Sequence, residues 1–429
     1  MRKLEYPSTK DWQDLIKRPT QNFEELESGI AQTFQRVKEG GDSALLELNE
    51  KYDRAQLSSL LTSADEIASA AAELSDELKG AIQQAYNNIK LFHAQQAEQS
   101  NKVETMPGVT CWRKSVAIDK VGLYIPGGTA PLFSTLLMLG VPARLAGCPE
   151  VILCTPPAKD GSIHPAIRYT ACLLGIDKIV KVGGAQAIAA MAFGTESVPA
   201  VNKIFGPGNQ YVTVAKQMLS KTGVAIDLPA GPSEVLVIAD ESANPAFVAA
   251  DLLSQAEHGS DSQVVLLTNS ANLLVQVEKE LQVQLEDLPR KEFASMALNN
   301  SLGILLRDVE EMIRFSNHYA PEHLILSIND FEEVLDKITN AGSVFLGNYS
   351  PESAGDYASG TNHTLPTNGY ARAYSGVSLD SFVKKITFQH ITPKGLQNIG
   401  RTIEVMAAAE GLEAHKNAVS IRLKEVRNV

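Results

Sequence analysis

The sequence predicts an α/β protein with two lobes, each built around a mostly parallel sheet. From residue 116 onward, strand-like and helix-like segments alternate, and short Gly- or Pro-containing turns separate them. This alternation is typical of an open parallel sheet with helices on both faces. The chain has 429 residues, which is more than one hydrophobic core usually serves. We therefore expect two lobes, with a short arm before them and a mixed tail after them.

Periodicity and turn residues predict the elements in chain order. A short arm is expected over residues 1–21, and apolar residues at helical spacing predict helices over 22–54 and 63–95. The predicted strands are 121–125, 150–154, 178–182 and 201–205 in the first lobe, and 235–238, 264–267, 303–307, 323–328 and 343–346 in the second. The helices of the first lobe should begin near residues 131, 164, 185 and 209. The tail from Ser381 should hold one strand and two helices.

Composition and charge narrow the classes of function. Hydrophobic residues make up 44% of the chain and charged residues 21%, as in an ordinary globular protein. The formal net charge of −12 argues against a nucleic-acid partner, whose phosphates need a basic face. We find no apolar run of the ~18 residues that a membrane-spanning helix needs, and no signal peptide at the start. We therefore expect neither a nucleic-acid nor a membrane partner.

The cysteines indicate a reducing compartment. Cys111, Cys148, Cys154 and Cys172 have no paired spacing, and most lie in apolar stretches. Such cysteines are typical of reduced core residues in a cytosolic protein. A cytoplasmic location is therefore expected.

Three strand-to-helix turns of the first lobe carry glycines: Gly127-Gly128, Gly183-Gly184 and Gly206-Pro207-Gly208. Glycine lets the backbone N–H groups at a helix start approach an anion closely. Each turn taken singly is more simply a tight connection, and none matches the dinucleotide fingerprint. Three in one sheet favour a nucleotide at the carboxyl edge of the strands.

The stretch Ile226–Gln263 contains a candidate half of a metal site. A helix begins at Asn244-Pro245, and Gln255 and His258 lie three residues apart near its end, on one helical face. An amide oxygen and an imidazole nitrogen can both bind a divalent ion. Pairs at this spacing are more often ordinary surface or core residues, so the pair alone does not establish a metal site.

Four further side chains could carry chemistry. Glu322 and His323, side by side at a strand entrance, could act as two proton-transfer groups, although a solvated loop pair is the simpler interpretation. Asp356 lies in a loop rich in Gly and Ser that could bring a carboxylate to a metal, or that could be ordinary turn chemistry. His415 lies on the last helix, where a surface histidine is the alternative.

The segments IDLPAGPSE and ADLLSQAEHG resemble the signature region of the histidinol dehydrogenase family. The resemblance runs from the first helix to the last without a large insertion. It implies two Rossmann-like lobes arranged as in aldehyde dehydrogenases. It also implies a homodimer that oxidises L-histidinol to L-histidine through L-histidinaldehyde, with NAD and one Zn²⁺ per subunit.

The resemblance also assigns roles to individual residues. It implies NAD binding by Tyr124, Gln186 and Asn209, and proton acceptance by Glu322 and His323. The implied metal ligands are Gln255, His258, Asp356 and His415. The implied substrate contacts are Ser233, Gln255, His258, His323, Asp356, Glu410 and His415, and Ser134 and His363 are candidates for the pocket wall.

The same resemblance suggests a division of the chain. Residues 1–21 form the arm, 22–120 and 235–377 a discontinuous lobe with the metal and catalytic residues, 121–234 the NAD-binding lobe, and 378–429 a dimerisation tail. Glu410 and His415 of this tail would complete the site of the partner chain. Two alternatives remain open: a zinc hydrolase with Glu322 as its base, and a metal-dependent binding protein without activity.

Overall fold

A computed structural model describes residues 1–18, 23–127, 131–229 and 231–427 of the chain. By their internal contacts the residues form two units, of which the first is Met1–Gln95 with Asp119–Phe382 and the second is Gln96–Ile118 with Val383–Val429. Pro19 and Thr20, where a stop near the end of the predicted arm is expected, and the turn residue Gly128 lie outside the described residues.

The strands are numbered in chain order. They are β1 (Arg2–Glu5), β2 (Val103–Met106), β3 (Val109–Ala117), β4 (Lys120–Tyr124), β5 (Glu150–Thr155), β6 (Lys178–Lys181), β7 (Lys203–Phe205), β8 (Ala225–Ile226), β9 (Glu234–Ala239), β10 (Gln263–Thr268), β11 (Leu302–Leu305), β12 (His323–Ser327), β13 (Ser343–Leu346) and β14 (Val383–Ile391).

The α-helices are numbered in the same way. They are α1 (Trp12–Leu15), α2 (Phe23–Tyr52), α3 (Ala64–Ser69), α4 (Asp76–Ala94), α5 (Phe133–Ala146), α6 (Pro165–Leu173), α7 (Gly184–Phe193), α8 (Gln210–Met218), α9 (Pro245–Ala256), α10 (Ala271–Glu286), α11 (Lys291–Asn299), α12 (Val309–Tyr319), α13 (Glu352–Tyr357), α14 (Pro393–Ala409) and α15 (Glu413–Arg427). Short 3₁₀ segments cover Ala70–Glu73, Leu219–Lys221, Phe331–Lys337, Tyr370–Arg372 and Leu379–Phe382.

The first unit contains two parallel sheets, which confirms the predicted α/β fold class. One sheet has five strands in the order β6-β5-β4-β7-β8, and the other has six in the order β1-β11-β10-β9-β12-β13. All pairings within both sheets are parallel. Each strand predicted from the sequence is present, with ends that differ by at most two residues from the expected ones.

The central strands of the larger sheet show why these residues form strands with both faces covered. Every residue of β9 and β10 is buried. Val235 and Val237 pack in one hydrophobic cluster, and Leu236 and Ile238 pack in another. Successive side chains of a strand point to opposite faces, so a continuous run of apolar residues supplies both cores at once.

The N-terminal arm is part of the larger sheet. β1 pairs in parallel with β11, with Arg2 opposite Leu302 and Glu5 opposite Leu305. Trp12 and Leu15 of α1 are buried in the cluster on one face of that sheet. The sequence did not indicate β1 because a four-residue edge strand carries little periodicity.

The single helix predicted over residues 63–95 is wrong, because the segment contains α3, a 3₁₀ turn and α4. Ser63 caps α3 and forms a capping box with Glu66. Ser75 caps α4 by accepting a hydrogen bond from the backbone N–H of Leu78. A serine whose side chain accepts a hydrogen bond from the backbone N–H three residues later begins a new helix rather than continuing the previous one.

The long helix α2 packs on the five-stranded sheet. Ile30, Phe34 and Val37 belong to the same hydrophobic cluster as Tyr124 and Ile188. This packing differs from the division suggested by the sequence, which grouped residues 22–120 with the second lobe. The apolar face of α2 lies against the helices α7 and α8, which cover the smaller sheet.

The second unit contains a three-stranded antiparallel sheet in the order β14-β3-β2. β14 pairs with β3 along nine residues, and the rings of Trp112 and Phe388 stack across the pair with centroids 5.4 Å apart. The tail holds one strand and two helices, as the sequence predicts, whereas β2 and β3 were not predicted. Within the described ranges, none of the helices is long and apolar enough to cross a membrane.

Candidate active site

A cavity of about 1010 Å³ lies at the carboxyl edge of the five-stranded sheet. Its walls include Tyr124 at the end of β4 and Thr155 at the end of β5. Gln186, in the first turn of α7, and Asn209, the N-cap of α8, also line it. The cavity is at the upper end of the size range for small-molecule and cofactor sites. The structure therefore brings together the three residues predicted to bind NAD.

The turns around this cavity are held by specific contacts. The backbone N–H of Gly184 donates to the hydroxyl of Tyr124 at 3.1 Å. Burial raises the pKa of Tyr124 to about 12, so its hydroxyl keeps the proton and can donate to a ligand. Gly206 has φ of +128°, and a Cβ there would lie 2.0 Å from the carbonyl oxygen of Tyr124. Only glycine fits this turn, which holds β4 and β7 together at the cavity.

Asp53, just after α2, also lines the cavity and was not predicted. Its Oδ2 is buried without a hydrogen-bond partner, and burial raises its pKa to about 6. No glycine turn or motif marks this residue in the sequence. It becomes a candidate for nucleotide contact only when α2 is placed on the smaller sheet.

Glu322 and His323 lie at the amino end of β12, where both are buried, with 6% and 4% of their surfaces exposed. The backbone N–H of Glu234 donates to Glu322 Oε2 at 2.9 Å. His323 Nδ1 donates to the carbonyl oxygen of Glu234 at 3.2 Å, which leaves Nε2 buried without a hydrogen bond. The interpretation of the pair as a solvated loop is therefore wrong.

Carboxylates surround the His323 ring. Glu322 Oε2 lies 3.7 Å and Glu352 Oε1 4.0 Å from Nδ1, and Asp356 Oδ1 lies 3.7 Å from Nε2. Burial alone would lower the pKa of His323, but these three carboxyl groups raise it to about 10. Burial raises the pKa of Glu322 to about 8, against the opposing effect of His323. The cluster can therefore store and move protons near neutral pH.

Three side chains could hold a metal ion. One donor atom each from His258, Glu352 and Asp356 lie within 4.8 Å of one another. Gln255 is on the last turn of α9, and its Oε1 is buried without a partner. His258 follows the end of α9, and its backbone N–H donates to the carbonyl oxygen of Gln255, which preserves the turn between them.

The donor set fits a divalent cation. The Oε2 of Glu352 is buried and unpaired, like the Oε1 of Gln255. Buried oxygens without a partner cost free energy unless a cation or a ligand satisfies them. Imidazole, carboxylate and amide oxygen together suit zinc or a similar ion.

Asp356 lies on the helix α13 and not in a loop, which corrects the sequence-based placement. Glu352 was not predicted, although it lies four residues before Asp356. Residues at this spacing share one face of a helix, so the motif ESAGD contained the signal once a helix was recognised. The glycine-rich composition of the segment concealed it.

The two candidates for the pocket wall, His363 and Ser134, lie near Asp356. His363 contacts Asp356, and Ser134 is the sequence neighbour of a residue that contacts His363. His363 Nδ1 is 2.9 Å from the backbone oxygen of Asp356, and its Nε2 is 3.0 Å from the hydroxyl of Thr135. Ser134, the neighbour of Thr135 on α5, is buried. Ser233 is half-buried and directly precedes β9.

Glu410 and His415 belong to the second unit. Glu410 caps the C-terminus of α14 and His415 lies on α15, and both side chains are exposed. The metal-binding group found among the described residues consists of residues of the first unit and does not contain His415. The predicted role of His415 in a partner's site stays a prediction.

All four cysteines lie in the described residues, and none of them forms a disulfide. Cys148 and Cys154 are buried, as expected for core residues, whereas Cys111 is half-buried. The core prediction is wrong for Cys172, which is exposed because the helix α6 turns this position outward.

The sequence profile of the histidinol dehydrogenase family matches residues 16–423. The chain belongs to the histidinol dehydrogenase family. A histidinol dehydrogenase from Bacteroides fragilis (strain YCH46) is 60% identical over 427 residues, with 100% of both chains covered. A chloroplastic histidinol dehydrogenase of Arabidopsis thaliana is 53% identical, with 98% of this chain and 90% of the relative covered.

The crystal structure of a histidinol dehydrogenase from Elizabethkingia anophelis also matches. It has a TM-score of 0.98 and 60% identity, and the match covers 100% of this chain and 99% of that chain. These findings confirm the resemblance inferred from the signature segments, and they show that the chain is an oxidoreductase of this family. They also favour the dehydrogenase over the hydrolase and the inactive binding protein.

Proposed function

We propose that the protein oxidises L-histidinol to L-histidine through L-histidinaldehyde, with NAD as the oxidant, in the final steps of histidine biosynthesis. The observation that carries the proposal is the buried pair Glu322 and His323, whose side chains lie within 4.0 Å of each other or of the carboxylates of the metal-binding group. Proton acceptors beside a cation site, in a dehydrogenase family, suit the oxidation of an alcohol that binds the cation.

In this proposal Gln255, His258 and Asp356 hold one Zn²⁺, together with His415 of the partner subunit. A zinc ion held by these residues would supply coordination for the nitrogens of the substrate and would so help to fix the orientation of the reacting carbon. Glu352 lies beside these ligands and adds a further carboxylate to the same group. The unpaired oxygens of Gln255 and Glu352 support the assignment.

His323 is the proton acceptor for the alcohol. Its Nδ1–H is committed to the carbonyl oxygen of Glu234, so Nε2 is the nitrogen that can take the proton of the substrate hydroxyl. A cation held by Asp356 would offset the negative charge that raises the pKa of His323. The imidazole could then be neutral at physiological pH, as a base must be.

Glu322 activates the water that converts the aldehyde into its hydrate. A carboxyl group whose pKa is raised to about 8 is a stronger base than an ordinary carboxylate once it is ionised. Its Oε2 accepts the N–H of Glu234, which fixes the orientation of the group. After His323 has released its first proton to solvent, the hydrate can lose the second hydride, with His323 again as proton acceptor.

The cavity of the smaller sheet is the proposed site of NAD, which accepts one hydride in each oxidation step. Tyr124, Gln186 and Asn209 would contact it at the starts of α7 and α8. Helix N-termini present unpaired N–H groups to the phosphates, so a chain of net charge −12 can bind an anionic cofactor locally.

We further propose a cytoplasmic homodimer, in which Glu410 and His415 reach the active site of the partner. The exposed positions of both side chains in the second unit support this arrangement. Free cysteines, two of them buried, support a reducing compartment.

The experiment that tests the proposed function measures the two half-reactions separately. Glu322→Gln should slow the oxidation of added L-histidinaldehyde much more than the first hydride transfer from L-histidinol, because only the second step needs activated water. His323→Asn should slow both. Glu332→Gln, at an exposed position, is the control that should change neither. Equal losses in both half-reactions for Glu322→Gln would contradict the division of roles.

A further inference from the structure

The two proposed proton acceptors share one anchor, which is the backbone of Glu234. Its N–H donates to Glu322 Oε2 at 2.9 Å, and its carbonyl oxygen accepts from His323 Nδ1 at 3.2 Å. Glu234 is the first residue of β9, and the next residue, Val235, lies opposite His323 in the sheet. The orientation of both side chains therefore depends on where the first peptide groups of β9 lie.

The end of a strand is not fixed by the sheet alone, because the hydrogen-bond ladder stops there. Glu234 pairs with Gln263 at the end of this ladder, and its side chain, which is 1% exposed, is held as well. Arg18 Nε donates to Oε1 at 3.0 Å and Nη2 donates to Oε2 at 2.8 Å, and the backbone N–H of Asn368 also donates to Oε1, at 2.5 Å. The two parallel bonds of an arginine fork fix position and angle together.

Several further contacts hold the guanidinium group of Arg18 in place. Its Nη2 also donates to the backbone oxygen of Tyr319 at 2.7 Å, and its Nη1 donates to that of Ile16 at 3.0 Å. Its Cζ lies 3.6 Å from the centroid of the Tyr319 ring. The hydroxyl of Tyr319 donates in turn to Gln263 Oε1 at 2.8 Å, on the neighbouring strand β10. The guanidinium thus connects the N-terminal segment with the start of β9 and the end of α12.

An ion pair this deeply buried is a weak source of stability, since removing both charges from water offsets most of their attraction. What the fork provides is a fixed location for Glu234. We propose that Arg18 is a positioning residue, which acts through Glu234 to hold Glu322 and His323 in the geometry for proton transfer. The proposal rests on the proposed function, because it assumes that this pair accepts the protons.

The test compares Arg18→Ala with the unaltered enzyme in both half-reactions. A misplacement of about 1 Å at reacting groups costs up to about 100-fold in rate, so we expect kcat to fall by about 10- to 100-fold for L-histidinol and for L-histidinaldehyde. KM for NAD and the bound zinc should stay unchanged, because the hydrogen bonds of Arg18 go to Glu234, Ile16 and Tyr319, which are neither lining residues of the cavity nor members of the metal-binding group. Added guanidinium, at concentrations that do not unfold the protein, should partly restore kcat.

Arg168→Ala is the matched control. Arg168 is also a buried arginine in an ion pair, and its Nη2 donates to both oxygens of Glu73 at 2.9 and 2.8 Å. It lies on α6, 66 residues before Glu234 in the chain. This variant should lose stability but keep its kcat, and guanidinium should not stimulate it.

If Arg18→Ala does not fold, Arg18→Lys tests the positioning role of Arg18. Lysine keeps the charge but cannot form the fork, so kcat should still fall in both half-reactions. Wild-type kcat in a folded Arg18 variant would overturn the proposal, as would a loss that follows the zinc content. If the unaltered enzyme forms no NADH from L-histidinol, the proposed function has failed instead.

Discussion

Asp251 offers a prediction whose size follows from the structure. It lies on α9, one turn before Gln255, and only 9% of its surface is exposed. Burial raises its pKa from 3.8 to about 7, and the backbone N–H of Glu352 opposes this only in part. Asp251→Asn would remove the ionisable group but keep its shape and its acceptor oxygen.

The sign of the pH dependence of stability follows from the direction of the pKa shift of Asp251. The folded protein holds the Asp251 proton up to about pH 7, whereas the unfolded chain loses it near pH 3.8, so this residue lowers stability as pH rises between the two values. The shift of about 3 units corresponds to about 4 kcal/mol, fully present above pH 7. At about pH 5 the cost is about 2 kcal/mol. Asp251→Asn should therefore stabilise the protein by about 2 to 3 kcal/mol more at about pH 8 than at about pH 5.

Urea unfolding at these two pH values measures the difference, with the parent and the variant compared at each pH. Asp336→Asn, at an exposed position, is the control and should show no pH-dependent gain. A gain for Asp251→Asn that is the same at both pH values would refute the reasoning, because the burial of an ionised carboxylate would then not be its cause.

Three further predictions concern the metal, the thiols and the dimer. His258→Asn should lower zinc content and activity together, and full zinc occupancy in this variant would rule out His258 as a ligand. Cys154→Ala should keep its turnover and lose some stability, because burial raises the pKa of this thiol and prevents a reactive thiolate; an inactive but folded variant would show a thiohemiacetal step. Mixing inactive His258→Asn and His415→Asn chains should restore about a quarter of wild-type activity, since half of the random dimers then have one intact site. No recovery would mean that His415 serves its own chain.

The sequence predicted the two parallel sheets well because their strands are buried on both faces. Continuous runs such as Val235–Ile238 need no partner information to be recognised as strands. The sequence did not predict two strands that pair with distant segments of the chain. β1 pairs with a strand 300 residues away, and β3 pairs along its whole length with β14, which lies near the other end of the chain.

The site shows the same limit. The family resemblance predicted roles for Glu322, His323 and Asp356, whereas Glu352 and Asp53 went unrecognised. The glycine-rich composition concealed the helix that carries Glu352, and Asp53 reaches the cavity only through the packing of α2 on the smaller sheet. The proposed catalytic pair lies at the amino end of β12, whereas the general rule for parallel sheets points to the carboxyl ends. That rule led to the cavity proposed for NAD and gave no indication of the proposed proton acceptors.

The stoichiometry of oxidation tests the central claim most directly. Purified enzyme, supplied with zinc, NAD and a limiting amount of L-histidinol, should form about two NADH for each L-histidinol consumed, with L-histidine as the product. In the proposed mechanism each hydride needs its own NAD, and Glu322 and His323 accept the protons of both oxidation steps at one site. One NADH per substrate with accumulation of the aldehyde, or substrate loss without any NADH, would contradict the account.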